Sequence, residues 1–463
     1  MGTNENLSDK AILVLGYALT GKSVAEFLVK QNANVTINDR GDLSQDPSVT
    51  LLLEESVKVV DGGHPLDLLD NHFDMIIKNP GIPYSIPFLQ KAIEKNIPIY
   101  TDVELASWFS KGSIIGITGS NGKTTTTSLL RELLTHREKG LAYLAGNIGV
   151  PTLDVIEKAT EEDDIVMELS SFQLAGTKHF HSDIAVITNI YEAHLDYHHT
   201  RKEYAAAKLK ILANQTAEDM VVYRYDNAEL HQWVEGFSGQ LVPFSIENTD
   251  EFVRNNGAYI EGDWIYFKEE QIIPLSDIQI PGSHNVENVL AAISVAKLKE
   301  ISNEDISKTV REYKGMRHRI QPIVKVSERS FYNDSKATNT TATITALNSF
   351  KQPIRYIGGG LDRGNEFDDL IPYLENVAGA YLYGETKEKM AKAFRAAGTN
   401  SIEVFDDLIQ ATTKAYRDAR QGEVVLLSPS CASWDQYKNF EIRGDVYIDT
   451  IDKLLIEEPY TNE

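Results

Sequence analysis

The sequence predicts an α/β protein of three modules in series, each a mainly parallel sheet covered by helices. Three observations carry that prediction. Short apolar runs alternate with helical patterns along the chain. The 463 residues suffice for about three domains with ample core. The polar motifs cluster just after apolar runs, where open α/β sheets bind ligands.

The first module, placed at residues 1–101, opens with the strand AILVLG, the turn GYALTGKS, the helix SVAEFLVKQ and the strand NVTIND. This is a βαβ unit. Its turn, Gly16 to Gly21, is a G-x-G-x-x-G pattern with Ala18 at the second glycine, and fits a dinucleotide site or a plain tight turn equally well. Asp39, after the second strand, is placed to hold a ribose hydroxyl. DMIIKNPGIP then reads as a strand ending in a turn at Pro80-Gly81.

The second module, 102–315, carries the strand-like runs SIIGIT, DDIVMEL and SDIAVITN between helical patterns. GAYIEGDWIYF alternates with turn residues and predicts a small antiparallel hairpin, and HNVENVLAAISVAKL has helical apolar spacing. The third module, 316–463, sets the strands PIRYIGGG, GAYLYGE and EVVLLSP among the helices ETKEKMAKAFRAAG and DLIQATTKAYRDA.

Composition narrows the function. Apolar residues make up 42% and charged residues 24%, as in globular proteins. Lys+Arg 45 against Asp+Glu 68 gives a net charge of −23, which disfavours tracking along nucleic acid but leaves a small anionic ligand open. The single cysteine, Cys431, forms no internal disulfide and fits a reducing cytoplasm. No signal-like segment and no membrane-length apolar run is present. The expectation is a cytoplasmic monomer acting on small molecules, without nucleic-acid or membrane partners.

The chemistry starts at GITGSNGKTTTT, between the run SIIGI and a helical pattern. Strand, glycine-rich loop and helix form a phosphate cradle: loop amides and the helix N-terminus face the anion, Lys123 adds charge and the Thr124 hydroxyl reaches Mg²⁺. A strict phosphate-loop pattern needs a glycine where Ile117 stands; Gly119 is the nearest. A Gly-Asn turn before an ordinary helix is the alternative. A lysine at a positive helix end argues for an anion nearby. Glu168, ending a strand, suits a Mg²⁺ ligand or a cap for the next turn. In TNIYEAHLDYHH, His194, Asp196, His198 and His199 resemble a metal cluster without zinc spacing, and His194 is the best placed of them. Lys208 lies in a helical stretch, where a lysine usually faces solvent, and the pattern does not separate it from Lys210. FYNDSKATNTT offers Asp334, Lys336 and Thr338; LSPSCASWDQYKNFEIRG offers Ser430, Ser433 and the ring of Phe440, or simply a helix N-cap.

Together these stretches resemble the Mur ligase family, the ATP-dependent amide-forming enzymes of bacterial peptidoglycan precursor synthesis. The resemblance rests on TGSNGKTT, GNIG (Gly146–Gly149), ELSSFQL, YEAHLDYH, AAKLKI, GSHNVENVLAA, GMRHR, NDSKATN and SPSCASWDQYKNFEIRG, in order over most of the chain. The family's shortened phosphate loop also accounts for Ile117. The resemblance implies a Rossmann-like N-terminal domain for a uridine diphosphate, a central P-loop ATPase domain and a Rossmann-like C-terminal domain for the incoming amino acid.

It also implies roles. Leu19, Thr20, Asp39 and Arg40 are candidates for the UDP group, and Asn147 for the muramoyl part. Gly119, Asn121, Gly122, Lys123, Thr124 and Thr125 would take the ATP phosphates, Asn288 the adenine side, and Arg319 and Asp334 the nucleotide from the C-terminal side. Thr124, Glu168, His194 and Lys208 would serve two Mg²⁺ ions, Lys208 as a carbamate. Lys336, Thr338, Arg363, Ser433 and Phe440 match the amino-acid side, with Arg363 where the family often has lysine. Lys123, His194, Lys208 and Lys336 are the candidate catalytic residues. SPSCASWDQ points to D-glutamate, added to UDP-N-acetylmuramoyl-L-alanine through an acyl phosphate, and the DNPR of the diamino-acid enzymes is missing. The alternatives are another Mur-type or folylpolyglutamate-type ligase, a nucleotide-binding regulatory ATPase, and an oxidoreductase using NAD in the first βαβ unit.

Overall fold

The apolar runs become strands because both faces of each sheet are covered. The computed structural model describes residues 6–148, 150–191, 194–364 and 366–460, apart from the side chains of Leu195 and Asp196. Gly149 of GNIG and the Asp196 carboxylate therefore lie outside the described residues. In the N-terminal sheet, Ile12 and Val14 pack into one core while Leu13 and Leu15 pack into another. In the C-terminal sheet, Tyr356 and Leu426 pack on one face and Ile357 and Leu427 on the other. A strand exposes alternate residues to opposite faces, so two apolar faces read as a continuous apolar run.

Three sheets form. The first has five parallel strands, in the order Lys58–Val60, Asn34–Asn38, Ala11–Leu15, Met75–Lys78, Ile99–Tyr100. The chain leaves Ala11–Leu15 in one direction and later returns on its other side. The crevice above its carboxyl end is thus a topological switch point, where such sheets bind ligands.

The second sheet has nine strands: Glu270–Pro274, Trp264–Phe267, Ala258–Glu261, Gln240–Ser245, Met220–Arg224, Ile184–Ile187, Ser113–Thr118, Asp164–Glu168 and Ala142–Gly146. Ala258–Glu261 pairs antiparallel with Trp264–Phe267, as the sequence predicts, and Glu270–Pro274 extends that hairpin to a meander. The other pairings are parallel. Ser113–Thr118 lies between Asp164–Glu168 and Ile184–Ile187, so the segments after these strands meet at one edge. The third sheet runs Gln321–Val326, Arg329–Asn333, Val424–Leu427, Ile354–Gly359, Val377–Tyr383, Ile402–Val404, parallel except for its first pair.

The chain divides into two compact units, 1–275 with 287–309, and 276–286 with 310–463. The first carries the first two sheets and the second carries the third. No described helix is long and apolar enough to cross a membrane. The final helix, Phe440–Glu457, is capped by Asn439, whose Oδ1 accepts from Ile442 N at 2.9 Å, and not by the serines of SPSCAS. Asn439→Ala should destabilise the chain by about 1 kcal/mol, read as a lower urea midpoint.

Candidate active site

The loop after Ser113–Thr118 owes its shape to two glycines. Gly119 has φ +154°, and a Cβ there would sit 1.9 Å from Thr188 Oγ1. Gly122 caps the helix Lys123–Leu133 at φ +84°, where a Cβ would lie 2.1 Å from Asn288 Oδ1. Both positions exclude a side chain sterically and conformationally. The strand-end residues Thr188 and Asn189 brace the loop from beside it. Thr188 Oγ1 donates to Asn121 O at 2.6 Å, Asn189 Nδ2 donates to the same oxygen at 3.1 Å, and Asn121 N donates to Asn189 Oδ1 at 2.9 Å. Ser120 Oγ lies 2.9 Å from Tyr204 Oη. The result is a preformed turn at a helix N-terminus, the geometry that receives phosphate.

Two lysines converge on it. Lys123 Nζ donates to Gly119 O at 2.7 Å and to Ser120 O at 3.0 Å. Lys208 Nζ donates to the same Gly119 O at 2.8 Å and lies 4.8 Å from the centre of the Tyr204 ring. Lys208 is buried, so the expectation of a solvated lysine fails. Lys210 is not solvated either: its Nζ donates to Ala175 O and Thr177 O, away from the loop. Burial pushes the Lys208 ammonium well below its ordinary pKa; nearby Lys123 adds to the effect and Glu168 opposes it.

Glu168 is buried at the end of its strand. Its Oε1 accepts from Asn147 Nδ2 at 2.9 Å, while its buried Oε2 has no hydrogen-bond partner among the described residues. It does not cap the following turn. Ser170 does, in a capping box with Gln173. A buried carboxylate oxygen left unpaired is costly, and a hard divalent cation is the ligand that suits it. Thr124 is buried on the first turn of the loop helix. His194 is exposed at the start of the short helix Leu195–His198, with its ring edge-on to Phe172 at 4.9 Å. His198 is a core residue, with Nε2 2.9 Å from Ser171 Oγ and its ring stacked on Phe172. His199 is exposed.

In the first sheet's crevice, a cavity of about 390 Å³ is lined by Gly16, Ala18, Asp39, Arg40, His64, Asn79, Gly81, Ile82, Pro83 and Ile86. Asp39 accepts from the Tyr17 and Gly41 amides at 2.6 and 2.7 Å, which fixes its carboxylate beside the first turn. Leu19 and Thr20 follow Ala18 at the start of the helix Leu19–Lys30 and are not among the walls. The buried Lys78 donates to Pro80 O and Ile82 O at 3.0 and 2.9 Å, holding the 79–82 wall, and to Tyr197 Oη at 3.3 Å. Burial lowers its pKa to about 7, against the pull of Asp102.

The second unit gathers the remaining candidates. A small pocket is lined by Thr338, Leu361, Asp362, Arg363, Phe367, Thr386, Ser430, Cys431 and Ala432. The Arg363 guanidinium lies 4.6 Å from the Trp434 ring centre, and Lys336 Nζ 5.7 Å from that of Phe440. Ser433 Oγ is buried without a partner among the described residues. Asp334 is buried, accepting from Ser428 Oγ at 2.7 Å and Ile320 N at 3.1 Å, and burial raises its pKa to about 7. Arg319 is exposed on the loop before Gln321–Val326, next to Ile320, whose amide donates to Asp334. Arg443, fully buried, donates to Ser335 Oγ, Ser335 O and Cys431 O, tying the NDSKATN and SPSCAS loops together.

The residues alone suggest Lys123, Thr124 and Glu168, and the resemblance adds Asn147 and Lys208; all five lie at one end of the central sheet. Asn288 is buried against Gly122, with Oδ1 3.4 Å from Thr126 Oγ1, so it braces the loop from below. The braces Thr188 and Asn189, the wall residue His64 and the tie Arg443 were missed. VITN ending a strand, and Gly-Gly-His after VKVV, were the available signals.

Comparisons with known proteins agree with this geometry. Residues 10–101 match the Mur ligase MurD-like N-terminal domain, 117–296 the Mur ligase middle domain, and 318–431 the Mur ligase glutamate ligase domain. The chain is 48% identical over 457 residues to the UDP-N-acetylmuramoylalanine--D-glutamate ligase of Lactiplantibacillus plantarum, covering 98% of each chain. It is 48% identical over 452 residues to the Enterococcus faecalis protein of the same name, covering 97% of this chain and 98% of that one. Among solved structures, the UDP-N-acetylmuramate-alanine ligase MurC of Thermotoga maritima shares the fold, with a TM-score of 0.57 at 16% identity over 96% of this chain and 99% of that one.

Gly122→Ala should weaken ATP binding about fivefold or more, because an alanine at positive φ costs ~1 kcal/mol or more even before Asn288 is displaced. Nucleotide titration of the folded variant measures the loss.

Proposed function

The chain belongs to the Mur ligase family, and from that premise we propose that it joins D-glutamate to UDP-N-acetylmuramoyl-L-alanine with ATP, forming ADP and phosphate during peptidoglycan precursor synthesis. The observation that carries this reading is the pair of lysines, Lys123 and Lys208, converging on the Gly119 carbonyl at the mouth of a preformed phosphate loop. Burial and the nearby Lys123 disfavour a second cation at Lys208, which suits its conversion to a carboxylate-like group, and Lys123 is left to meet the transferring phosphoryl group.

The alanyl carboxylate is a poor electrophile. One of its oxygens attacks the γ-phosphorus of ATP, forming a C–O–P bond as the bond to ADP's bridging oxygen breaks. The D-glutamate amine, having shed a proton, attacks the acyl carbon, and inorganic phosphate leaves with both electrons of the broken C–O bond. Lys123 and the loop amides neutralise charge on the γ-phosphoryl group, and Lys336 neutralises the tetrahedral intermediate. Thr124, Glu168, His194 and Lys208, the last as a carbamate, would hold two Mg²⁺ ions; the unpaired Glu168 Oε2 supports that donor set. Bound Mg²⁺ supplies Lewis-acid neutralisation of phosphate charge. His194 is an alternative candidate for the base that takes the amine proton.

Asp39, Arg40, Leu19 and Thr20 serve the UDP group and Asn147 the muramoyl part. Asn121, Thr125, Asn288, Arg319 and Asp334 serve ATP. Thr338, Arg363, Ser433 and Phe440 serve D-glutamate. Residues 1–101, 102–315 and 316–463 are the corresponding domains. The chain acts as a cytoplasmic monomer.

Phosphate release with ATP, magnesium and UDP-N-acetylmuramoyl-L-alanine should depend on D-glutamate and be at least about tenfold slower with L-glutamate; equal rates, or release without any amino acid, would defeat the ligase reading. Lys123→Ala should lower kcat by about 10²- to 10³-fold with unchanged circular dichroism. Lys208→Ala should be similarly impaired and regain part of its activity with added formate or acetate; full activity without them would exclude the carbamate.

A further inference from the structure

Arg363 lines the small pocket of the second unit and is exposed, yet it forms no hydrogen bond or ion pair with a described residue. The neighbouring carboxylate does not serve it. Asp362 Oδ1 accepts from Gly364 N at 2.8 Å and from Lys389 Nζ at 3.0 Å, and its Oδ2 lies 2.8 Å from the same ammonium. What holds the guanidinium is a ring: its carbon lies over Trp434, 4.6 Å from the ring centre. Trp434 is 64% exposed, so burial does not account for its place. The two side chains meet because their loops are tied. Leu361 N donates to Ala432 O at 3.0 Å, two residues before each partner. Gly360, at φ +148°, permits that approach, since a Cβ there would lie 2.4 Å from the same oxygen. On the Trp434 side, Arg443 Nη1 donates to Cys431 O at 3.0 Å and Tyr437 N to Ser433 O at 2.7 Å.

A stacked guanidinium is engaged on its face and free at its edge. The ring attracts the cation, while the in-plane N–H groups keep the fork that fits a carboxylate bidentately. A lysine ammonium has no such division of face and edge. An exposed arginine without a stack would give up its rotamer freedom only on binding, at the expense of affinity. We propose that Trp434 is a positioning residue: its indole holds Arg363 ready, so that the guanidinium edge meets a carboxylate of the incoming amino acid. This rests on the reading that the pocket takes D-glutamate. Trp434 acts through Arg363 alone, on capture of the amino acid and not on phosphoryl transfer.

The test is steady-state phosphate release by the full chain, for wild type, Trp434→Leu, Trp434→Phe, Arg363→Ala and the double variant Trp434→Leu with Arg363→Ala. In Trp434→Leu the KM for D-glutamate should rise about fivefold, the worth of an exposed stack and of one ordered side chain. Its kcat and its KM values for ATP and UDP-N-acetylmuramoyl-L-alanine should not move. Trp434→Phe keeps an aromatic face and should restore most of the wild-type KM. Arg363→Ala should raise the KM for D-glutamate at least about tenfold, and adding Trp434→Leu to it should change that value by no more than about twofold. An unchanged D-glutamate KM in Trp434→Leu overturns the proposal. So does a rise of equal size in the Arg363→Ala background, which would give the indole a role of its own in the pocket. So does a shift in all three KM values, which would make its role structural. If wild type releases phosphate without regard to D-glutamate, the ligase reading fails first and the role of Trp434 falls with it.

Discussion

One peptide carbonyl, that of Gly119, accepts hydrogen bonds from two lysines on different helices. Burial and the nearby Lys123 both disfavour the ammonium form of Lys208. The arrangement stands because the loop around it is over-determined. Two side-chain-free positions, the Asn121–Asn189 pair of hydrogen bonds and the packing of Asn288 allow the turn little choice. An incoming phosphate then meets Lys123 and the loop amides without rebuilding the site, and that preorganisation is what electrostatic catalysis of phosphoryl transfer requires.

The sheets explain why the reacting groups can meet. The strands ending in Thr118, Glu168 and Ile187 are hydrogen-bonded neighbours, so loop, carboxylate and braces emerge side by side. Asn147, at the end of the next strand, is bonded to Glu168 and links the two ends directly. The first sheet opens its own crevice at its switch point, with a cavity suited to a nucleotide. The buried Lys78 holds the wall of that crevice and reaches Tyr197, on the helix that His194 precedes. The third sheet contributes a separate polar pocket, whose loops Arg443 fastens together.

Much of this was legible in the chain. Strands buried on both faces, such as Ala11–Leu15 and Val424–Leu427, are plain apolar runs. Edge and half-buried strands were not legible: Lys58–Val60 and Ile99–Tyr100 are too short to show a period, and Gln321–Val326 carries polar residues on a partly exposed edge. The phosphate loop announced itself because its glycines and lysine are dictated by local geometry. Lys208 did not, because what distinguishes it from Lys210 is which wall each meets after folding. His198, which the sequence suggests is an ordinary loop residue beside His194, proved to be core, bonded to Ser171, since sequence spacing says nothing of where a ring points. Arg443 acts through partners far along the chain, which no local pattern reveals.

The central claim is that the loop's cargo is handed to a carboxylate oxygen before the amide bond forms. The most direct measurement uses UDP-N-acetylmuramoyl-L-alanine labelled with ¹⁸O in its alanyl carboxylate, turned over with ATP and D-glutamate, followed by mass analysis of the released phosphate. The account predicts one labelled oxygen in each phosphate formed. Product amide accompanied by unlabelled phosphate would contradict it.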